Sequence, residues 1–491
     1  MNRLMLFLLV VIMPLTAIAK VIYVSPDGND SASGTINAPL ATLPAAYKKV
    51  VSGDTVYFRG GTYYVTDSQI MKIESLYAHA FALEKAGTKN KRTCFMGYPG
   101  ERPVFDFSAL QLDGAHRFTG FYLGADYLHL RNFDIVGLPV RITGHTQSEC
   151  VSARKGSHCI VENIAMHHNM AIGYYQTKGS DNLVLNCDAY NNYDSYSEGT
   201  YGGNVDGFGI HVSKTTETGN RIVGCRAWRN SDDGFDLISC ATSVEISHCM
   251  AFYNGYQPAD DHSTFKSAGD GNGFKAGGWG MSASKTKCPD VCPSHYVHHS
   301  MAYRNKSNGF YSNHHLAGNT WEYNTASNNR SNFEMLNRKS TEADGAYDVD
   351  GYNHVLRHNV SWTYRDKGHV TNYDKATCTF ENNSFLPQTT AFTVTADMFV
   401  SSSPADMVVK RNADGTLPTM RFLKGKKGKL LAERNIGWIW DEETSAIEQP
   451  RADNGDNGNI QGRIYDLSGK PLKEIGRQGV YIVNGNKIIV R

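Results

Sequence analysis

"RIVGCRAWRN" (221–230) and "EISHCMAFYN" (245–254) are one phrase written twice. In each, a Cys stands two places before an Ala and an Asn closes the segment. The phrase recurs as "IVENIAMHHN" (160–169), "LVLNCDAYNN" (183–192), "YVHHSMAYRN" (296–305) and "TWEYNTASNN" (320–329). The aligned small residues are Ala165, Ala189, Ala227, Ala251, Ala302 and Ala326, continued by Ser361 and Ser384. Three intervals are 24 residues and one is 23; the others, 38, 51 and 35, read as the same unit carrying an inserted loop.

Two places upstream stand Asn163, Cys187, Cys225, Cys249, Ser300, Asn324, Asn359 and Asn382. Downstream, Asn192, Asn230, Asn254, Asn305 and Asn329 close the segments. A short unit of strands and Asn turns fits one coil of a parallel β-helix. Like residues then stack from coil to coil, roughly 4.8 Å apart. A stacked Asn bonds its neighbours and tolerates a left-handed turn. The leucine consensus of leucine-rich repeats is absent, and propeller blades need longer units. These Asn and Cys columns are expected to be structural. Cys225 and Cys249 face each other as buried thiols or as a disulfide, and "CPDVC" (288–292) suits a small loop disulfide.

A second register follows the first: "DGFG" (206–209), "DGFD" (233–236), "NGFK" (272–275) and "NGFY" (308–311). The Gly suggests a bend and the Phe a core plug. Alignment puts Asp206, Asp233, Asn272 and Asn308 in one line, and Gly209, Asp236, Lys275 and Tyr311 in another. Insertions at 193–205, 255–271 and 277–295 interrupt these coils, and such loops wall the binding face of a solenoid.

Asp206, Asp232, Asp233 and Asp236 therefore converge beside Lys275. Packed carboxylates repel, so such a group protonates or takes a cation. Calcium accepts 6–8 oxygens at flexible geometry, whereas zinc prefers nitrogen or sulfur and magnesium keeps its own waters. Asp-Gly turn caps are the bland reading for one such pair, and a salt bridge to Asp236 the bland reading for Lys275. Together, Ca²⁺ and a lysine suit proton abstraction next to a carboxylate. In a uronate polymer the C6 carboxylate would ligate Ca²⁺ and acidify the C5 proton. Lys275 would remove that proton and the C4–O bond would break, a β-elimination. A lysine base must be neutral, which predicts an alkaline optimum.

"VDGFGIHV", "NSDDGFDLI" and "GDGNGFKAGG" resemble the motifs of polysaccharide lyase family 9, the pectate lyase and rhamnogalacturonan lyase group. The resemblance covers roughly residues 20–400. It implies a right-handed parallel β-helix, calcium on Asp206, Asp232, Asp233 and Asp236, and Lys275 as catalytic base. It implies an anionic plant cell-wall polysaccharide (pectin) as partner, either homogalacturonan or rhamnogalacturonan I. Lys266 and Lys285 against Trp279, Tyr256 and Phe265 leave that choice open. Two rivals remain. One is an inverting polygalacturonase-type hydrolase using the Asp cluster, although its Gly-His-Gly and Arg-Ile-Lys segments are absent. The other is a non-catalytic, calcium-stabilised carbohydrate-binding β-helix.

The start of the chain resembles the first coil of secreted β-helix proteins. "PLATLPAAYKKVVSG" (39–53) predicts a capping helix with Ala46, Val50 and Val51 inward. Residues 1–19 form a secretory signal peptide: Arg3, an apolar run from Leu4 to Leu15, then Ala17-Ile18-Ala19. Residues 401–445 read as the helix end and a cap, and 446–461 as a polar linker. Residues 462–491 form a small β unit with Gly turns at Gly469, Gly479 and Gly485. It resembles the sorting domains of proteins exported by the type IX system of Bacteroidetes.

The 491 residues are 41% hydrophobic and 20% charged, with a formal net charge of +1. Bulk charge thus supplies no case for nucleic acid, and no later stretch predicts a membrane span. The protein is expected to be a monomer, secreted or at the cell surface.

Overall fold

The structure is a computed structural model. It describes residues 19–438 except 198, together with the strands Ile464–Asp466, Pro471–Leu472, Gly479–Val483 and Asn486–Val490. The predicted signal peptide and linker lie outside the described residues.

The repeats form the expected all-β parallel solenoid. Nearly all pairings within it are parallel, each strand bonding its counterpart one coil later. Ala189, Ala227, Ala251, Ala302 and Ala326 lie in one register. A small residue suits this position because the coil interior is narrow there. The phenylalanines fill the wider part. Phe208, Phe235, Phe274, Phe310 and Phe333 stack with centroids 4.7–5.1 Å apart and planes within 14°.

The Asn column closes the coils as expected. Asn192 Nδ2 donates to Asn230 Oδ1 at 2.9 Å, Asn230 to Asn254 at 3.1 Å, Asn254 to Asn305 at 3.0 Å and Asn305 to Asn329 at 3.0 Å. Left-handed backbone falls one residue earlier than predicted. Asn191, Arg229, Tyr253, Arg304 and Asn328 have φ of 48–60°. The ladder Asn must turn its amide inward, so its predecessor makes the bend, at a cost of about 1–2 kcal/mol for a non-glycine residue.

The other column reads Cys187, Cys225, Cys249, Ser300, Asn324, Asn359, Asn383. Each side chain accepts a backbone N–H from the coil before, from Cys225 Sγ at 3.3 Å to Asn383 Oδ1 at 2.9 Å. Asn383, not Asn382, continues it. At the other end Ala165 opposes Asp188 and Met166 opposes Ala189, so the predicted alignment of Ala165 and Asn163 is one residue out. That coil is a residue shorter, and only the strand pairing reveals it. All ten cysteines are unbridged, Cys225, Cys249, Cys288 and Cys292 included.

The cap helix spans Leu43–Lys49. Thr42 caps it by accepting from the Ala45 N–H, and Pro44 sits in its first turn. Leu43, Ala46 and Val50 are buried, but Val51 is 55% exposed because the chain has left the helix by then.

Residues 399–438 do not cap the end. They form a strap along the solenoid's flank. It starts at Trp362, whose ring lies 5.2 Å from Phe399, and reaches back to Asp188 through Arg411. It returns past Tyr303, which meets Phe422 edge-on at 5.0 Å, and ends where the Trp438 N–H donates to Thr325 Oγ1 at 2.9 Å. A second apolar cluster on that flank, including Trp228, Phe252, Met301 and Tyr303, is thereby covered.

The tail strands pair antiparallel in a separate unit. Gly479 begins a strand there instead of making a turn.

Candidate active site

The second register assembles as read. Phe208 opposes Phe235 and Gly209 opposes Asp236; Asp236 in turn opposes Lys275, and Lys275 opposes Tyr311. The adjoining line is a hydrogen-bonded column. Asp206 accepts the Asp233 N–H at 3.0 Å, Asp233 accepts the Asn272 N–H at 2.6 Å, and Asn272 accepts the Asn308 N–H at 3.2 Å. Glycines before each Phe allow this closeness. A Cβ on Gly207 would lie 2.7 Å from the Gly234 carbonyl oxygen, and one on Gly234 2.7 Å from that of Gly273.

Asp206, Asp233 and Asp236 present carboxylate oxygens within 4.8 Å of one another, and all three are buried. Lys275 Nζ lies 2.8 Å from Asp233 Oδ2 and 3.0 Å from Asp236 Oδ2. Asp232 borders this triplet, close enough for its charge to act on Asp206. Its Oδ1 accepts the Asp270 N–H at 2.9 Å and so pins the inserted loop 255–271. Lys306 holds that loop from beneath through the carbonyls of Ala268 and Gly269.

The charges do not balance. Burial pushes the Asp206 carboxyl well above the usual range, and the neighbouring Asp232, Asp236 and Asp233 push it further. Burial, then Asp233, raises Asp232 to about 8. Burial disfavours a charged Lys275, but Asp233 and Asp236 outweigh it and hold the ammonium well above its usual pKa. One ammonium faces four carboxyls. The donor set is all oxygen and short of positive charge, and it fits a hard divalent cation such as Ca²⁺.

Further groups border the cluster that the motifs did not mark. His211 is half-buried, and desolvation lowers its pKa against the pull of Asp236, whose Oδ2 lies 4.0 Å from its Nε2. Tyr175 reaches His211 Nδ1 at 3.3 Å, and Arg154 lies between the Tyr77 and Tyr175 rings, 4.5 and 5.1 Å from their centroids. Their sequence signal is weak: Arg154 and Tyr175 precede the first DGF segment, and His211, two residues after it, has no counterpart in the later repeats. Of the residues weighed as sugar contacts, Trp279 and Tyr256 are buried, and Trp279 Nε1 donates to the Cys240 carbonyl at 2.9 Å. Lys285 is exposed and meets Asp344 at 3.3 Å.

Solenoid and cluster together define a class, the right-handed parallel β-helix enzymes. Residues 22–345 match the family described as Pel9A-like, right handed beta helix region, and the chain belongs to that family. It is similar to pectate lyase L of Dickeya dadantii (strain 3937), with 33% identity over 85% of this chain and 88% of that one. Among solved structures, a rhamnogalacturonan lyase superposes with a TM-score of 0.80 at 42% identity, over 86% of this chain and all (100%) of that one. Pectate lyase Pel9A gives 0.63 at 30% identity, over 84% and 90%. The chain is a polysaccharide lyase.

Proposed function

We propose that the protein is a secreted pectin-degrading lyase. It cleaves a galacturonate-containing backbone, homogalacturonan or rhamnogalacturonan I, by β-elimination with Lys275 as base. The observation that carries this reading is Lys275 Nζ at 2.8 and 3.0 Å from two carboxylates of a three-aspartate cluster. Asp206, Asp233 and Asp236, with Asp232 at their edge, would hold Ca²⁺. When bound, the ion would supply positive charge that acidifies the proton beside a substrate carboxylate.

The chain's own residues do the rest. Lys275 is held at the column's edge by its strand partners Asp236 and Tyr311. It must give up its proton to Asp233 or to solvent before it can take one from C5. Asp236 is itself fixed, since its Oδ1 accepts the Ile238 N–H at 2.7 Å. The likeness to a rhamnogalacturonan lyase at 42% identity, against 33% for pectate lyase L, favours rhamnogalacturonan I as the backbone. Export by the type IX system through residues 462–491 belongs to the same reading.

The test is ultraviolet absorbance of the unsaturated product, on polygalacturonate and on rhamnogalacturonan I, in alkaline buffer with calcium or with chelator. A calcium-dependent rise establishes the lyase and names its backbone. New reducing ends without absorbance would make the protein a hydrolase and overturn the proposal.

A further inference from the structure

Strand register fixes which side chains stand beside Lys275. Phe274 and Phe310 are fully buried, whereas Lys275 and Tyr311 are not. On these two strands the Phe therefore points into the core and its successor points outward. One outward row follows the solenoid axis as Gly209, Asp236, Lys275, Tyr311 and Glu334. It has one member per coil, roughly 4.8 Å apart.

A β-elimination needs two groups that handle protons. One takes the proton from C5. The other protonates O4 as the C4–O4 bond breaks, because a bare alkoxide leaves poorly. Lys275 has two neighbours in the row. Asp236 stands on one side, and both its oxygens already accept, Oδ2 from Lys275 Nζ and Oδ1 from the Ile238 N–H. Beyond it Gly209 has no side chain to offer.

Tyr311 stands on the other side. Its hydroxyl is open to solvent and bonds no other described residue. Burial raises its pKa, and Glu334, next in the row, raises it further. Tyr311 thus still carries its proton in the alkaline range where a lysine base works. The groups around it are occupied. Glu334 accepts from Thr371 Oγ1 at 2.9 Å and from Asn372 Nδ2. His314, whose ring lies 6.1 Å from that of Tyr311, is tied to Asp348 at 2.7 Å.

The geometry points to Tyr311 as the general acid of the elimination, protonating O4 of the leaving sugar while Lys275 takes the C5 proton. The inference rests on the reading of Lys275 as base. The two side chains leave consecutive coils, so they flank a C4–C5 bond lying along the row, one at each end. The electron pair of C5–H becomes the C4–C5 double bond. The pair of C4–O4 stays on O4, and the Tyr311 hydroxyl proton turns that oxygen into a free hydroxyl. The tyrosinate then regains a proton from the Lys275 ammonium, directly or through water. Both side chains are restored, and no co-reactant is consumed.

The experiment compares wild type with Tyr311→Phe, Tyr311→Ala and Lys275→Ala in alkaline buffer. Turnover is read from the unsaturated product, and calcium binding by calorimetry. Tyr311→Phe keeps the ring and removes the acid. Its kcat should fall by about 10²–10⁴-fold, with KM within about threefold of wild type and calcium affinity unchanged. Tyr311→Ala opens room for an acid from solution, so its turnover should climb with added ammonium at fixed pH and ionic strength. A Tyr311→Phe enzyme with kcat within about threefold of wild type overturns the inference. So does a loss carried by KM or by calcium affinity, or a Tyr311→Ala turnover indifferent to ammonium. Full turnover by Lys275→Ala would overturn the base assignment, and this inference with it.

Discussion

Asp206, Asp233, Asn272 and Asn308 form one column, and its two halves behave oppositely. Every member uses the same backbone bond, accepting or donating across a coil boundary. The amide half is neutral, and Asn308 Nδ2 also donates to Asn272 Oδ1 at 3.1 Å. The carboxylate half has the same shape and surplus negative charge, relieved only by Lys275. A solenoid can therefore install a reactive site without altering its backbone. It exchanges an amide for a carboxylate at a position the fold already builds. The amide ladder stabilises; the acidic segment stores repulsion that a cation can draw on.

Breaking the acidic half should have the largest effect. Lys275→Ala should lower turnover by roughly 10²–10⁴-fold, the usual worth of a positioned base, while calcium binding by calorimetry persists. Turnover at the wild-type level would place the base on another residue.

Converting the acidic half into the amide half sharpens the comparison. Asp233→Asn keeps the acceptor for the Asn272 N–H and removes one charge. Calcium affinity and calcium-dependent turnover should fall together, while the melting temperature in chelator should hold or rise. A clear drop in that melting temperature would show that the column's charge stabilises it.

In the neutral ladder the effect moves from activity to stability. Asn254→Ala removes bonds to Asn305 Oδ1 and to the Ala227 carbonyl, and takes the Asn254 Oδ1 acceptor from the Asn230 backbone N–H and from one N–H of its side-chain amide. The cost should be about 2–3 kcal/mol in denaturant unfolding, with turnover below the transition retained. A cost under about 0.5 kcal/mol would make the ladder ornamental.

A smaller effect is expected where a buried carboxylate is properly countered. Burial would raise the Asp188 pKa, but Arg226 and Arg411 more than offset it and hold the carboxyl well below its usual value. Its contribution is fully present above the unfolded pKa of ~3.9 and is lost as pH falls toward the folded value. Arg411→Ala should be less stable than wild type at neutral pH. The gap should close as acid unfolding curves descend below about pH 4. A gap that widens in acid would contradict this assignment.

Much of this was legible because repetition writes the register into the sequence. Cys225 and Cys249, Phe235 and Phe274, and Asp236 and Lys275 all stack where alignment put them. Errors arose where a coil changes length, as at Ala165 and Asn382, because one residue flips every side chain that follows. Val51, Trp279 and Tyr256 were misread for another reason: in loops and helix ends, burial depends on what folds over them. The course of 399–438 was hidden, since the strap has no repeat and its apolar residues do not announce their partner. The second task of Asp232, accepting the Asp270 N–H of the inserted loop, was not legible, because a loop contact leaves no repeat in the sequence.

The strap has a consequence for how the molecule comes apart. A bare solenoid is a one-dimensional chain of neighbours, free to fray from either end. Arg411 reaches Asp188 across 223 residues of sequence, and Trp438 reaches Thr325 across 113. Those ties join the last part of the unit to be synthesised to coils near its middle. They couple distant coils into one cooperative transition, and they delay completion of the fold until the strap has emerged.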